Sequence, residues 1–415
     1  MPEKARAGSG GRPAVTVPAM EVEPVARTGT QPGRLGTKPN LLIFELRMIG
    51  DAIMSLPFIR AAQEKYNVFV CCQPSVSEVF RLLLPEEQII PWRPPWIDEA
   101  RQYDIVQRKN AGMISVLQRL QSVRAQTALC GWADTRVHVL MALTGAETRI
   151  GFPMEKRNFY ASELPWRRRQ IYIGKGMNFL GGLCLCRELL TKKLHRNDYF
   201  QHHVEDWRQL AEELDLKWST ALPWFSAPAA SLPANVSDWL QAARSQRQKI
   251  WLLHPGARTP ERRWPMERFC ALVEQTFVRQ GIPLIVIDPM ESPLPREWVP
   301  GALIYRPGSL AEFFSLVSAV DCVVCNDTSV SHAAAALGKR VVCVFGPDLP
   351  QWLGPYHNLD LVVQNDVCPH RPCFDRCVMP AYICLEAVTV EMVKQQIEKL
   401  HCPGLPEKGR LKAEG

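Results

Sequence analysis

Cys325-Asn-Asp-Thr-Ser-Val-Ser-His-Ala-Ala-Ala-Ala-Leu-Gly-Lys-Arg-Val-Val-Cys-Val-Phe-Gly-Pro347 reads as strand, cap, helix and strand in one run. The apolar stretch 321–325 predicts a buried strand. Asn326, Asp327, Thr328 and Ser329 supply N-cap side chains, and a helix is predicted over 332–337, ending at Gly338. A second apolar strand over 340–345 runs into Gly346-Pro347. Hydroxyls, backbone N–H groups and His332 gather at the helix start, where the dipole favours a phosphate or diphosphate. The plain alternative is a βαβ unit whose Asp-Thr-Ser only caps its own helix.

Outward from this unit the same alternation continues. On its N-terminal side come strands over 249–253 and 283–288 and helices over 265–279 and 310–319. Residues 223–233, rich in Pro, Ala and Ser, read as a linker. Before them the pattern is repeated: a strand over 40–45, a helix over 52–65, a strand over 68–72, elements near 126–130 and 137–144, and an amphipathic helix over 207–214. Strands alternating with helices of this length predict an α/β fold of parallel sheets with helices on both faces. The expected organisation is a tail over 1–38, a first Rossmann-like domain over 39–222, a second Rossmann-like domain over 223–402 and a polar tail over 403–415. Two such halves place a ligand at the strand C-terminal ends, in the cleft between them.

The chain of 415 residues is 47% hydrophobic and 22% charged, which suits a globular protein with large cores. Its net charge of +7 is too diffuse to imply nucleic acid. One basic cluster stands out, Lys156-Arg157 with Arg167-Arg168-Arg169. It reads either as a solvated loop or as a patch for an anionic acceptor or membrane surface. Fourteen cysteines in a chain this long suggest reduced thiols rather than a secreted disulfide scaffold. No apolar run approaches the ~18 residues of a membrane span, and the first residues lack the apolar core of a secretory signal. A cytoplasmic protein is expected.

Chemistry-bearing residues fall at predicted strand ends. Gly50-Asp51 follows the first strand, where Asp51 serves either as a general base or as a helix cap. His254-Pro-Gly-Ala257 follows the first strand of the second half, and Arg262-Arg263-Trp-Pro265 opens the next helix, a basic helix start suited to a diphosphate. No Asp-x-Asp triplet occurs, so the carboxylate pair that holds a divalent metal in many sugar-nucleotide enzymes is missing. Cys368, Cys373, Cys377 and Cys384 read as a soft-metal site or as packed thiols, and their spacing contains no C-x2-C pair.

These segments, in this order, resemble the ADP-heptose:lipopolysaccharide heptosyltransferase family, glycosyltransferase family 9. The motifs are Ile49-Gly-Asp51 with Leu56-Pro57, His254 to Ala257 with Arg262 to Pro265, Asn326 to Ser329 with His332, Phe345-Gly-Pro347, and the cysteine-bearing stretch ending in Glu386-Ala-Val-Thr-Val. The resemblance spans roughly 40–400. It implies a GT-B architecture and an inverting transfer without metal or other cofactor. It further implies that Asp51 is the base, that Asp327 holds the donor sugar, and that Thr328, Ser329 and His332 border the diphosphate. Arg262 stands where the family usually has a donor-phosphate lysine, and Ser329 where glycine is most common. Asp288-Pro-Met-Glu291 replaces a Gly-Gly-type turn near the nucleoside, with Glu291 as a candidate ribose ligand.

The expected function is transfer of heptose or a related sugar from an ADP-sugar to a lipopolysaccharide-core or other anionic glycan or lipid-linked acceptor. Peripheral contact with the cytoplasmic face of the inner membrane goes with it. The alternatives are the same fold with another nucleotide sugar or a protein acceptor, and a non-catalytic nucleotide-sugar binding protein.

Overall fold

The structure, a computed structural model, describes residues 38–94, 111–153, 188–198, 200–229, 232–289, 294, 301–373, 375 and 377–401. The basic cluster at 156–169, Glu291 and both expected tails lie outside them, Lys38 excepted. The described residues from Lys38 onward belong to one compact unit.

The first half contributes β1 (Asn40–Glu45), α1 (Ile49–Lys65), β2 (Asn67–Cys72), β3 (Ile89–Pro91), α2 (Ala111–Ser122), β4 (Thr127–Cys130), α3 (Thr135–Leu143), β5 (Thr148–Gly151), β6 (Lys192–Lys193) and α4 (His203–Glu213). The second contributes α5 (Ala234–Ser245), β7 (Trp251–His254), α6 (Met266–Leu272), β8 (Leu284–Ile287), β9 (Leu303–Tyr305), α7 (Leu310–Ala319), β10 (Cys322–Asn326), α8 (Ser329–Ala336), β11 (Arg340–Val344), β12 (Val362–Val363) and α9 (Val390–His401). Each half builds a six-stranded sheet, ordered β3-β2-β1-β4-β5-β6 and β12-β11-β10-β7-β8-β9. Every strand pairing is parallel.

Both sheets therefore have the same doubly wound order. The chain reverses its direction of winding between β1 and β4 in one sheet and between β7 and β10 in the other. At such a switch point the loops leaving neighbouring strands diverge and open a crevice at the strand C-terminal ends. The residues that follow β1, β7 and β10 are the ones singled out from sequence, Asp51, His254 to Ala257 and Asn326 to His332.

Burial explains why the central strands carry unbroken apolar runs instead of alternation. Leu41, Leu42, Ile43 and Phe44 of β1 are all fully buried, because helices cover both faces of the sheet. Helix α1 is buried nearly all round, from Gly50 and Ala52 through Ala62. One face meets α4, where Phe58 lies 5.2 Å from the Trp207 ring. Another meets α8, whose run from Ala333 to Ala336 is small enough for close helix approach. One continuous apolar cluster consequently links the two sheets through α1 and α8. Among the described residues, no helix is long and apolar enough to cross a membrane.

Candidate active site

The β1–α1 turn is organised by its own carboxylates. Arg47 N donates to Glu45 Oε1 at 3.0 Å, and Met48 N donates to Asp51 Oδ2 at 3.0 Å. Asp51 thus caps α1 from within its first turn, so the capping role and a position at the mouth of the crevice coexist. From β2, Gln73 Nε2 donates to both Leu46 O and Arg47 O at 2.9 Å, fixing the turn from outside. The Arg47 guanidinium lies 4.2 Å over the Trp132 ring at the end of β4. On the Trp132 ring also stacks His203, with 3.9 Å between centroids. His203 Nδ1 meets the buried carboxylate of Asp206 at 2.9 Å, and Arg196 holds the same carboxylate.

On the opposite side, β10 ends at Asn326, which is fully buried. Its amide donates to Pro255 O at 2.8 Å and Gly256 O at 3.2 Å, while its carbonyl accepts from Trp264 N at 3.1 Å. One side chain thereby joins the His254 loop, the start of α6 and the end of β10. Sequence reading assigned Asn326 to helix capping; the cap is Thr328, whose hydroxyl accepts from Val330 N at 3.3 Å. Helix α8 begins at Ser329, three residues earlier than expected. Ser329 takes ordinary helical backbone and is not among the described residues with positive φ. A serine in place of the common glycine therefore carries no backbone strain there.

Arg262 occupies the middle of an acidic cage. Its Nη1 pairs with Asp327, its Nη2 with Asp348, and its Nε with Asp375 Oδ1 at 2.6 Å. The three carboxylates come from the end of β10, the loop after β11 and the cysteine-bearing stretch, and the last two were not identified in the sequence. Asp375 sits at φ 58°, an uncommon conformation for a residue with a side chain, and the Arg262 pair holds it there. Burial, together with Asp348 and Asp375, pushes Asp327 up to about 7 against the pull of Arg262. Asp348 is raised as well, first by its burial, against the pull of Arg262 and Arg371.

His332 is buried to 8% exposure, and burial depresses its pKa to about 3, with His202, Arg262 and His203 acting in the same direction. It is a neutral imidazole at physiological pH. His254, partly exposed at the end of β7, is lowered to about 4 by the burial of its ring. Asp288, expected near the nucleoside, accepts from Leu294 N at 2.7 Å and from Arg306 Nη2 at 2.7 Å. Cys384 is buried in the second core, and Cys377 Sγ approaches the Met379 and Ala381 carbonyls. Among the described residues no group of His, Cys, Asp or Glu is arranged to hold a metal ion.

Of the residues expected at the site, Asp51 and His332 lie at the two helix starts that meet across the cleft, and Thr328 and Ser329 form the first turn of α8. Asp327, next to Thr328 in the chain, is joined to Arg262. Sequence reading missed Glu45, Gln73, Asp348 and Asp375, since nothing in a short local window marks them.

Residues 186–383 match the family model described as glycosyltransferase family 9 (heptosyltransferase). Among solved structures, Escherichia coli heptosyltransferase WaaC with ADP is 18% identical, with 87% of this chain and 99% of that chain covered at a TM-score of 0.56. The E. coli ADP-heptose lps heptosyltransferase II is 16% identical over 87% and 98% of the two chains, TM-score 0.54. A family 9 glycosyltransferase from Veillonella parvula DSM 2008 is 16% identical over 87% and 97%, TM-score 0.59. No curated protein sequence matches the chain. The similarity to solved structures establishes the two-sheet GT-B fold, and the match to glycosyltransferase family 9 covers residues 186–383, the part of the chain that bears His254, Arg262, Asp327 and His332.

Proposed function

We propose that this glycosyltransferase moves heptose, or a closely related sugar, from an ADP-sugar to a hydroxyl of a glycan or lipid-linked acceptor, with inversion and without a metal ion. The observation that carries the reading is the meeting of two helix N-termini, α1 with Asp51 and α8 with Thr328, Ser329 and His332, at the switch points of two facing sheets. Support for the donor comes from the solved relatives, one of which is E. coli WaaC with ADP-2-deoxy-2-fluoro heptose.

In this mechanism the donor diphosphate lies at the start of α8. Backbone N–H groups and the helix dipole offset its charge there. Asp51 accepts the proton of the acceptor hydroxyl as that oxygen bonds to the anomeric carbon from the face opposite the leaving group. The bond from the anomeric carbon to the diphosphate oxygen breaks, and its electron pair leaves with ADP. The product sugar is therefore inverted. Neutral His332 acts as a hydrogen-bonding group, not as a counter-charge. Arg262 spends its charge on Asp327, Asp348 and Asp375, and so contributes mainly by fixing the Asp327 carboxylate toward the donor sugar. The absence of an Asp-x-Asp triplet favours leaving-group stabilisation by the helix start over a bound cation.

The test is a thermal-shift series with ADP-, GDP- and UDP-sugars, followed by ADP release in the presence of candidate acceptors. Stabilisation by ADP-heptose with acceptor-dependent ADP release supports the reading. Stabilisation by a UDP-sugar alone overturns it.

A further inference from the structure

Glu45 is a buried carboxyl group that the mechanism above leaves unused. It ends β1, is fully buried, and shares a turn with Asp51. The two carboxylates accept from consecutive backbone amides, Arg47 N and Met48 N, each at 3.0 Å. Neighbouring amide nitrogens are separated by less than one residue's reach, so the bonded oxygens stand no further apart than about 10 Å. Glu45 Oε2 has no hydrogen-bond partner among the described residues. The Trp132 indole Nε1 approaches it without completing a hydrogen bond of proper geometry, and is itself without a partner. The nearest cation, Arg47, extends over the Trp132 ring instead of pairing with the carboxyl. Facing Glu45 are Asp51 and Arg47 from its own turn, Cys72 from the end of β2, and Cys130 and Trp132 from the end of β4.

A buried carboxylate with one unsatisfied oxygen, no paired cation and a second carboxylate across the turn is costly to ionise. Burial first, and Asp51 second, push Glu45 up to about 8. Two carboxyl groups whose environments drive them apart in this way divide roles, one charged and one neutral.

We propose that Glu45 is a positioning residue for Asp51: in its neutral form it leaves a single negative charge on the β1–α1 turn, and its ionisation shuts the site to an anionic donor. The proposal rests on the reading of Asp51 as the base. It gives the reaction an alkaline limit set by a residue that touches neither substrate. A second charge on this turn repels the diphosphate and stands against the charge of Asp51, whose Met48 N contact neighbours the Arg47 N contact of Glu45.

Two measurements on the full chain test this. The melting temperature between pH 5 and pH 9 is compared for wild type, Glu45→Gln, Asp51→Asn and the double variant. Wild type is expected to lose stability as pH rises toward 8, Glu45→Gln to lose distinctly less, and Asp51→Asn, which removes a charge that raises Glu45, to shift the Glu45-dependent loss downward in pH. Identical curves for wild type and Glu45→Gln overturn the proposal, as does an Asp51→Asn curve that follows wild type. Should Glu45→Gln fail to fold, the wild type and Asp51→Asn comparison still decides the coupling. In the second measurement, kcat/KM for ADP release in wild type falls about tenfold with a midpoint near pH 8, and Glu45→Gln is flat between pH 7 and pH 9. An unchanged alkaline limb in Glu45→Gln overturns the proposal. A wild type that releases no ADP from any donor sinks the assigned reaction instead, and the melting curves remain decisive for Glu45.

Discussion

A methyl group on Gly50 would lie 2.6 Å from Cδ2 of His332 and 3.2 Å from its Nε2. Gly50 opens α1 in the first half, and His332 lies in the first turns of α8 in the second. The glycine is needed because an imidazole edge from the other sheet occupies the space of its side chain, not because of an unusual φ.

Gly50→Ala is expected to force the helix starts apart, since His332 is buried and has little room to retreat. Overpacking of this kind costs about 1–3 kcal/mol. The melting temperature should fall by several degrees and turnover by tenfold or more. Adding His332→Ala should recover part of the stability but not the turnover, which a double-mutant cycle measures.

Asp51 both caps its helix and stands at the cleft, and two substitutions separate these roles. Asp51→Ala should lose turnover by a factor of 10²–10⁴ or more and about 1 kcal/mol of stability. Asp51→Asn keeps an oxygen for Met48 N, so its stability stays near wild type while turnover is lost equally. Donor binding by calorimetry should survive in both. Near-normal turnover in Asp51→Asn would falsify the assignment of the base.

Arg262→Ala leaves Asp327 and Asp348 buried without their cation. Breaking such a cluster costs about 3–5 kcal/mol. The deficit should be largest near pH 8 and shrink toward pH 5, because the stranded carboxyl groups then take up protons. Arg262→Lys should also be weaker than wild type, as one ammonium cannot reproduce three separate nitrogen contacts to Asp327, Asp348 and Asp375. Urea melts at the two pH values check both statements.

The pH dependence of stability follows from buried groups of opposite sign. His138, His202 and His254 are lowered to about 4 and His332 to about 3, each chiefly by burial. The unfolded chain binds protons on these residues below pH ~6.5 where the folded chain does not, so stability falls as pH drops from there. Glu45 and Asp327 are raised, so the folded chain holds protons that the unfolded chain has released. Their contribution is full below pH ~4 and is lost as pH rises to about 8 for Glu45 and about 7 for Asp327. Only the second effect operates above pH ~6.5. Maximum stability is expected near pH 6 to 6.5, with His332→Asn flattening the acid side.

Much of the architecture could be read locally. The predicted strand over 40–45 and helix over 310–319 coincide with β1 and α7, because uninterrupted apolar runs and a serine cap are properties of neighbouring residues. Helix α8 extended further toward Ser329 than expected, since Thr328 captured the cap and left Asn326 to bridge two loops. Glu45 was read as the last residue of a buried strand, and nothing beside it in sequence marks it as a charged neighbour of Asp51.

The sequence by itself determined two rounds of strand and helix, parallel sheets, and small or polar residues at the strand ends where a crevice must open. These follow from periodicity, capping and turn chemistry, which act over a few residues. Only the tertiary structure decided what those strand ends face. Arg262 meets carboxylates 65, 86 and 113 residues away, and Gly50 meets His332 from the other sheet. Those encounters set burial and charge environment together, and burial is what makes His332 neutral and gives Asp327 and Glu45 their hold on a proton.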